Sequence, residues 1–180
     1  MSATKLSLKN NRFFKPLIQI GLFLGIFASL QLLYGMLAVT WVNHLLIDEI
    51  TVKTAAQLIS WVTPKVGVQA IGTHLSTQTD SLNIANGCNG LEVMFLLIAA
   101  MSVAPLSWRA KLMGLIIGIP YIFILNQVRL MALFYSFRTD EVLFWNLHST
   151  IAPVLLIALT VLFLGNWLSR YQQDGGSIQA

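Results

Sequence analysis

Apolar residues fall into four long runs, at about 17–46, 88–106, 112–135 and 149–168, and the polar residues gather in the segments between and outside them. A membrane-spanning α-helix takes about 20 predominantly apolar residues, so each run is predicted to be a transmembrane helix. The first is longer than required and should tilt or project beyond the hydrocarbon. The second reaches spanning length only if the turn-like NGCNG at 86–90 begins it. Between the first two runs, 53–63 (KTAAQLISWVT) places Ala56, Ile59, Trp61 and Val62 at roughly helical spacing, which predicts a short helix lying at the membrane interface. Farther on, VGVQAIG and SLNIAN alternate apolar and polar residues around the polar stretch THLSTQTD. This reads either as a small β-hairpin turning through that stretch or as a linker. The fold class expected is an all-α integral membrane protein of about four spans, with a small extracytoplasmic interfacial helix and a possible hairpin. No repeat or second domain interrupts it.

Composition supports this class. Of 180 residues, 56% are hydrophobic and only 10% charged, with a mean hydropathy of +0.73, which excludes an ordinary soluble domain. The net charge of +4 does not point to nucleic acid, because the basic residues are not interleaved with aromatics on one polar face. Lys5, Lys9, Arg12 and Lys15 precede the first run, and Arg109 and Lys111 separate the second from the third. Asp48, Glu49, Asp80, Asp140 and Glu141 occupy the alternate segments. The positive-inside rule then predicts cytoplasmic 1–16 and 169–180 and an extracytoplasmic 47–87. The first run is far longer than the apolar core of a signal peptide, so it is expected to stay as an anchor.

Several polar residues need a reason to lie where they do. Arg129 sits inside the third run, about six residues or roughly 9 Å from its outer end. A charge there costs about 2.5–3.5 kcal/mol on insertion scales and marks either a function or a snorkelling side chain. Asn126, at i−3, shares its helix face. Cys88 is the sole cysteine and has two readings. One is a small buried hydrophobe; the other is a reactive thiol in the first turn of a helix capped by Asn86, where the amide groups favour thiolate. Asn89 belongs to the same turn, and Glu92 lies one helical turn after Cys88, able to pair with Arg129 or to aim a charge at the same pocket. His148 opens the fourth run, where a helix N-terminus would keep its imidazole neutral and fit for a general base; a lone interfacial histidine is the plainer reading. His44, His74 and His148 with Cys88 lack metal-ligand spacing, so no metal and no cofactor are expected.

The combination NGCNGLEVM, then WRAKLMG with LNQVRLMALFY, then a histidine opening the next run, resembles the exosortase and archaeosortase family, most closely its short exosortase H branch, which handles IPTLxxWG-CTERM tails. The likeness is good over about residues 80–150. It implies a membrane cysteine protease-transpeptidase that cuts C-terminal sorting signals of exported proteins at the outer face of the cytoplasmic membrane. The implied partners are an exported protein with such a tail, an acceptor and the lipid bilayer. Carried over by position, Cys88 resembles the nucleophile, Arg129 the arginine of an N-x-x-R-type motif and His148 the third catalytic position, with Asn86, Asn89, Glu92 and Asn126 as supporting or substrate-binding groups. The competing class is a non-enzymatic membrane subunit or transporter component, in which an Arg129–Glu92 pair fixes helix packing.

Overall fold

The structure is a computed structural model that describes residues 3–37, 41–84 and 88–176. Among the described residues, three helical stretches are long and apolar enough to cross a membrane: Lys15–Leu37, Trp108–Thr139 and Glu141–Tyr171. The first lies in helix α1 (Ala3–Leu37), which has no fully buried residue in its apolar window. Leu17, Leu32 and Met36 are left on its surface, as suits a helix surrounded by lipid. Helix α1 ends at Leu37, so the first apolar run is not one helix to residue 46. After a short α2 (Trp41–Asn43), residues His44–Val52 form a π-helix, a widened form that is rare beyond a single turn.

That π-helix leads into α3 (Lys53–Val62), the helix expected from KTAAQLISWVT. It buries Ala55, Ala56 and Ile59 and leaves Trp61 exposed. A three-stranded antiparallel sheet follows, in the order β1 (Gln69–Ile71), β2 (His74–Ser76), β3 (Ser81–Asn83). The polar stretch THLSTQTD is therefore not a turn, because His74–Ser76 is the middle strand. Its single apolar residue, Leu75, is buried opposite Leu82 of β3. Leu75, Leu82 and Ile84 join Ile47, Val52 and Ile59 in one core that also takes in Cys88 and, from helix α5, Leu130 and Phe134. The lobe formed by the π-helix, α3 and the sheet is thus built directly onto the end of a membrane helix. Thr63 and Tyr135 share a 2.8 Å hydrogen bond, and Arg138 Nε lies 3.2 Å from Asp80 Oδ2 across the same junction.

Helix α4 (Leu91–Val103) is 13 residues long, about 20 Å at helical rise, and so shorter than the roughly 30 Å hydrocarbon core. It lies against α1, α5 and α7, burying Leu97, Ala99 and Met101 completely. Helix α5 (Trp108–Thr139) starts on Ser107, whose side chain accepts from Ala110 N. At Gly118 a Cβ would lie 2.5 Å from Leu97 Cδ2 and 2.8 Å from a Phe163 ring carbon, so only glycine lets these helices approach so closely. The last helical stretch is continuous: α6 (Glu141–Asn146), a π-segment at Leu147–Ile151, and α7 (Ala152–Gly176). Asp140 caps it by accepting from Leu143 N at 3.0 Å.

Candidate active site

Cys88, Asn89 and Gly90 form a bend rather than the first turn of a helix. Gly90, with φ of +76°, is the N-cap of α4, and Asn89 Oδ1 accepts from Leu91 N at 3.1 Å. The cap expected at Asn86 lies outside the described residues; here the cap is Gly90, and Asn89 just before it supplies the side-chain acceptor for the first helical N–H. The bend is pinned from two sides. Asn126 Nδ2 donates to the Cys88 carbonyl oxygen at 3.1 Å, and Asn89 Nδ2 donates to Tyr34 Oη of α1 at 3.0 Å. A Cβ on Gly90 would meet Asn126 Cγ at 2.9 Å, so glycine is required here both for its left-handed backbone and for the close approach of Asn126.

The bend points the thiol at two side chains from other elements. Cys88 Sγ lies 3.8 Å from His148 Nδ1 and 3.8 Å from the Arg129 terminal nitrogen Nη2, which donates to it. The three residues singled out in the sequence therefore come together, although they stand 41 and 60 positions apart from Cys88. Helix α5 runs on for ten residues past Arg129 to Thr139, about 15 Å, and this last part meets the lobe through Tyr135 and Arg138.

His148 does not open a helix. It lies seven residues inside the stretch that Asp140 caps, on the π-segment, so the argument from a helix N-terminus does not apply to it. Its orientation comes from packing: the ring stacks on Phe144 with centroids 5.5 Å apart and planes 14° apart, and Trp145 meets it edge-on at 6.2 Å. With Nδ1 facing sulfur, proton acceptance requires the neutral tautomer that carries its hydrogen on Nε2.

The electrostatics also differ from those of a thiol at a helix N-terminus. Cys88 is 6% exposed. Burial pushes its thiol up from the usual range; the Arg129 guanidinium pulls it back down and the Glu92 carboxylate pushes it up again, with a net rise. The resting sulfur is accordingly a protonated thiol at neutral pH, in need of a base. Glu92 is exposed at the start of α4, and among the described residues no ion pair joins it to Arg129. The structural pair is thus absent: Arg129 turns to Cys88 instead.

The other histidines are elsewhere. His44 pairs with Asp48 at 2.8 Å and His74 Nδ1 with Thr73 Oγ1 at 3.2 Å. Among the described residues, no three His, Cys, Asp or Glu side chains cluster as a metal site. Sequence reasoning missed Tyr34 and the aromatic bracket around His148. It also missed Gln127, which is 3% exposed with neither side-chain polar atom hydrogen-bonded. A buried amide left this way costs about 1–3 kcal/mol per unsatisfied group.

No curated protein and no solved structure matches the chain. Residues 10–168 match the family described as transmembrane exosortase (Exosortase_EpsH). With its three long apolar helices, this multi-pass membrane protein belongs to the transmembrane exosortase family.

Proposed function

We propose that the protein is a cysteine transpeptidase that cuts the C-terminal sorting tails of exported proteins, of the IPTLxxWG-CTERM class, at the extracytoplasmic face of the bacterial cytoplasmic membrane. The observation that carries this reading is the convergence of His148 Nδ1 and Arg129 Nη2, each 3.8 Å from one buried sulfur. The basic segments flanking the first and between the second and third apolar runs favour cytoplasmic termini, which puts the Cys88 bend on the outer side.

The residues divide the work by their chemistry. His148 Nδ1 removes the Cys88 proton as sulfur attacks the scissile carbonyl carbon, which matters here because burial holds the thiol in its neutral form. The carbonyl oxygen gains charge as the tetrahedral intermediate forms. Arg129, permanently protonated and already beside the sulfur, stabilises that charge, an effect worth about 3–4 kcal/mol for one well-placed donor. Collapse breaks the C–N bond, His148 gives its proton to the departing amine, and a thioester remains on Cys88. An amine or hydroxyl acceptor, or water, then attacks the thioester and regenerates the thiol. Asn126 and Asn89 keep the bend in place throughout: one holds the Cys88 carbonyl oxygen, and the other ties the bend to α1 and α4.

The test is co-expression with a reporter bearing a C-terminal sorting tail, comparing wild type with Cys88→Ala at equal membrane levels. Shortening by the wild type alone supports the reading. Equal processing by both proteins would remove Cys88 as the nucleophile and return NGCNG to a packing role.

A further inference from the structure

Among the described residues, the four buried side-chain nitrogen and oxygen atoms without a hydrogen-bond partner all lie within one turn of α5: Asn126 Oδ1, Gln127 Nε2, Gln127 Oε1 and Arg129 Nε. They amount to two acceptors and two donors. Buried polar groups in proteins are nearly always paired, so a cluster of four demands a partner. Asn126 and Arg129 already serve Cys88 through their other atoms. Gln127 serves no residue described, at either end of its amide.

Its place on the helix says what passes by. Gln127 shares a face with Phe123, one turn before it, and Leu130, one turn after. Phe123 lines a cavity of about 320 Å³ between the π-helix, α4 and α5, where Asn89 and Thr51 are the polar residues of an otherwise apolar wall. Leu130 packs in the core that contains Cys88. Gln127 thus follows the cavity residue Phe123 by one turn on the helix that carries Asn126 and Arg129 to the thiol, and Asn89, the neighbour of Cys88, is on the cavity wall.

A carboxamide offers one acceptor and one NH₂ in a single plane, and an extended peptide offers the complementary N–H and C=O from its main chain. Being uncharged, it takes that main chain whatever the side chains. We propose that Gln127 is a substrate-binding residue whose amide hydrogen-bonds the main chain of the sorting peptide beside the scissile bond, as the peptide passes from the cavity to Cys88. This rests on the function proposed above. The proposal requires that rotation about the side-chain torsions of Gln127 carry its amide to the cavity wall.

Gln127→Leu tests it, because leucine removes both unpaired atoms and keeps apolar bulk. The variant is expected to lose at least tenfold in kcat/KM on a tailed reporter. Its thermal midpoint should be equal to or above that of the wild type, and iodoacetamide should alkylate Cys88 within twofold of the wild-type rate. Replacing the peptide N–H beside the scissile bond with an ester oxygen should slow the wild type about as much as the substitution does, and slow Gln127→Leu no further. Processing by the variant within twofold of wild type, with the same ester sensitivity, overturns the proposal. So does a lowered midpoint with slowed alkylation, which would make Gln127 a packing group. A wild type that leaves tailed reporters uncut rejects the proposed function itself, and with it this inference, by a result that does not involve residue 127.

Discussion

Removing the Arg129 charge should make Cys88 harder to ionise, and the size of the effect follows from the geometry. Unit charges 3.8 Å apart attract by about 1 kcal/mol at the permittivity of water and by about 4 kcal/mol at the effective value of about 20 that suits protein sites. Even the smaller figure corresponds to about a fivefold lower thiolate fraction at any pH below the thiol's ionisation. Because Cys88 is the only cysteine, its alkylation reports this fraction directly, and the neutral reagent iodoacetamide avoids any field acting on the probe. In the wild type the rate should still be rising at pH 9, since burial moves the thiol upward and only the ionised form reacts. Arg129→Leu should react at least about fivefold more slowly at pH 8. Glu92→Gln should react faster, because it removes a carboxylate that opposes ionisation. Equal rates for wild type and Arg129→Leu across the pH range would refute the reasoning, as would a wild-type profile that levels off below the ordinary thiol range.

Loss of the base should separate chemistry from thiol access. His148→Gln is expected to process the tailed reporter about 10²–10⁴-fold more slowly while its Cys88 is alkylated at pH 10 within twofold of wild type, a loss of alkylation indicating a collapsed site instead. Gly90→Ala should destabilise the protein by about 1–3 kcal/mol through its left-handed φ, with a Cβ 2.9 Å from Asn126 Cγ adding to this; a thermal midpoint equal to wild type would show that the bend has another conformation open to it.

Sequence and structure agree where burial in lipid leaves one solution. The uniform apolarity of Leu17–Leu37, 112–135 and 152–168 permits only helices, because the backbone must satisfy itself. Helix ends were less legible. Helix α5 continues to Thr139 through a polar last turn that hydropathy treats as loop, and α6 begins at Glu141 on a cap, Asp140, that the sequence does offer but hydropathy ignores. The π-segments at His44–Val52 and Leu147–Ile151 leave no usable trace, since no residue type in them marks the change in backbone pairing. At the site, residue types were readable and environments were not. The sequence puts Cys88 in the first turn of a helix because Asn86 is a good N-cap residue. The left-handed Gly90 instead moves the cap from residue 86 to residue 90, leaving Cys88 outside the helix, and burial, which the sequence does not display, pushes the thiol up. Gln127 is not legible as a site residue, because one glutamine between a motif asparagine and a motif arginine is equally at home facing water, and only its burial says otherwise.

The sign of that effect connects the fold to the chemistry. Cys88 is a member of the hydrophobic core that joins the lobe of α3 and the sheet to α5, so the thiol is held where its ionised form is disfavoured and solvent oxidants have little access. Such a sulfur would be inert unless a base and a cation stood within reach. Each comes from a different element: Arg129 from α5, which also pins the bend through Asn126, and His148 from a π-segment whose orientation Phe144 fixes. Because neither partner is on the segment that carries the cysteine, assembly of the site depends on the packing of α4, α5 and the last helix together. Reactivity at Cys88 should therefore track the folded bundle rather than the local sequence, which is why alkylation kinetics and thermal stability, read on the same variants, distinguish a catalytic thiol from a buried one.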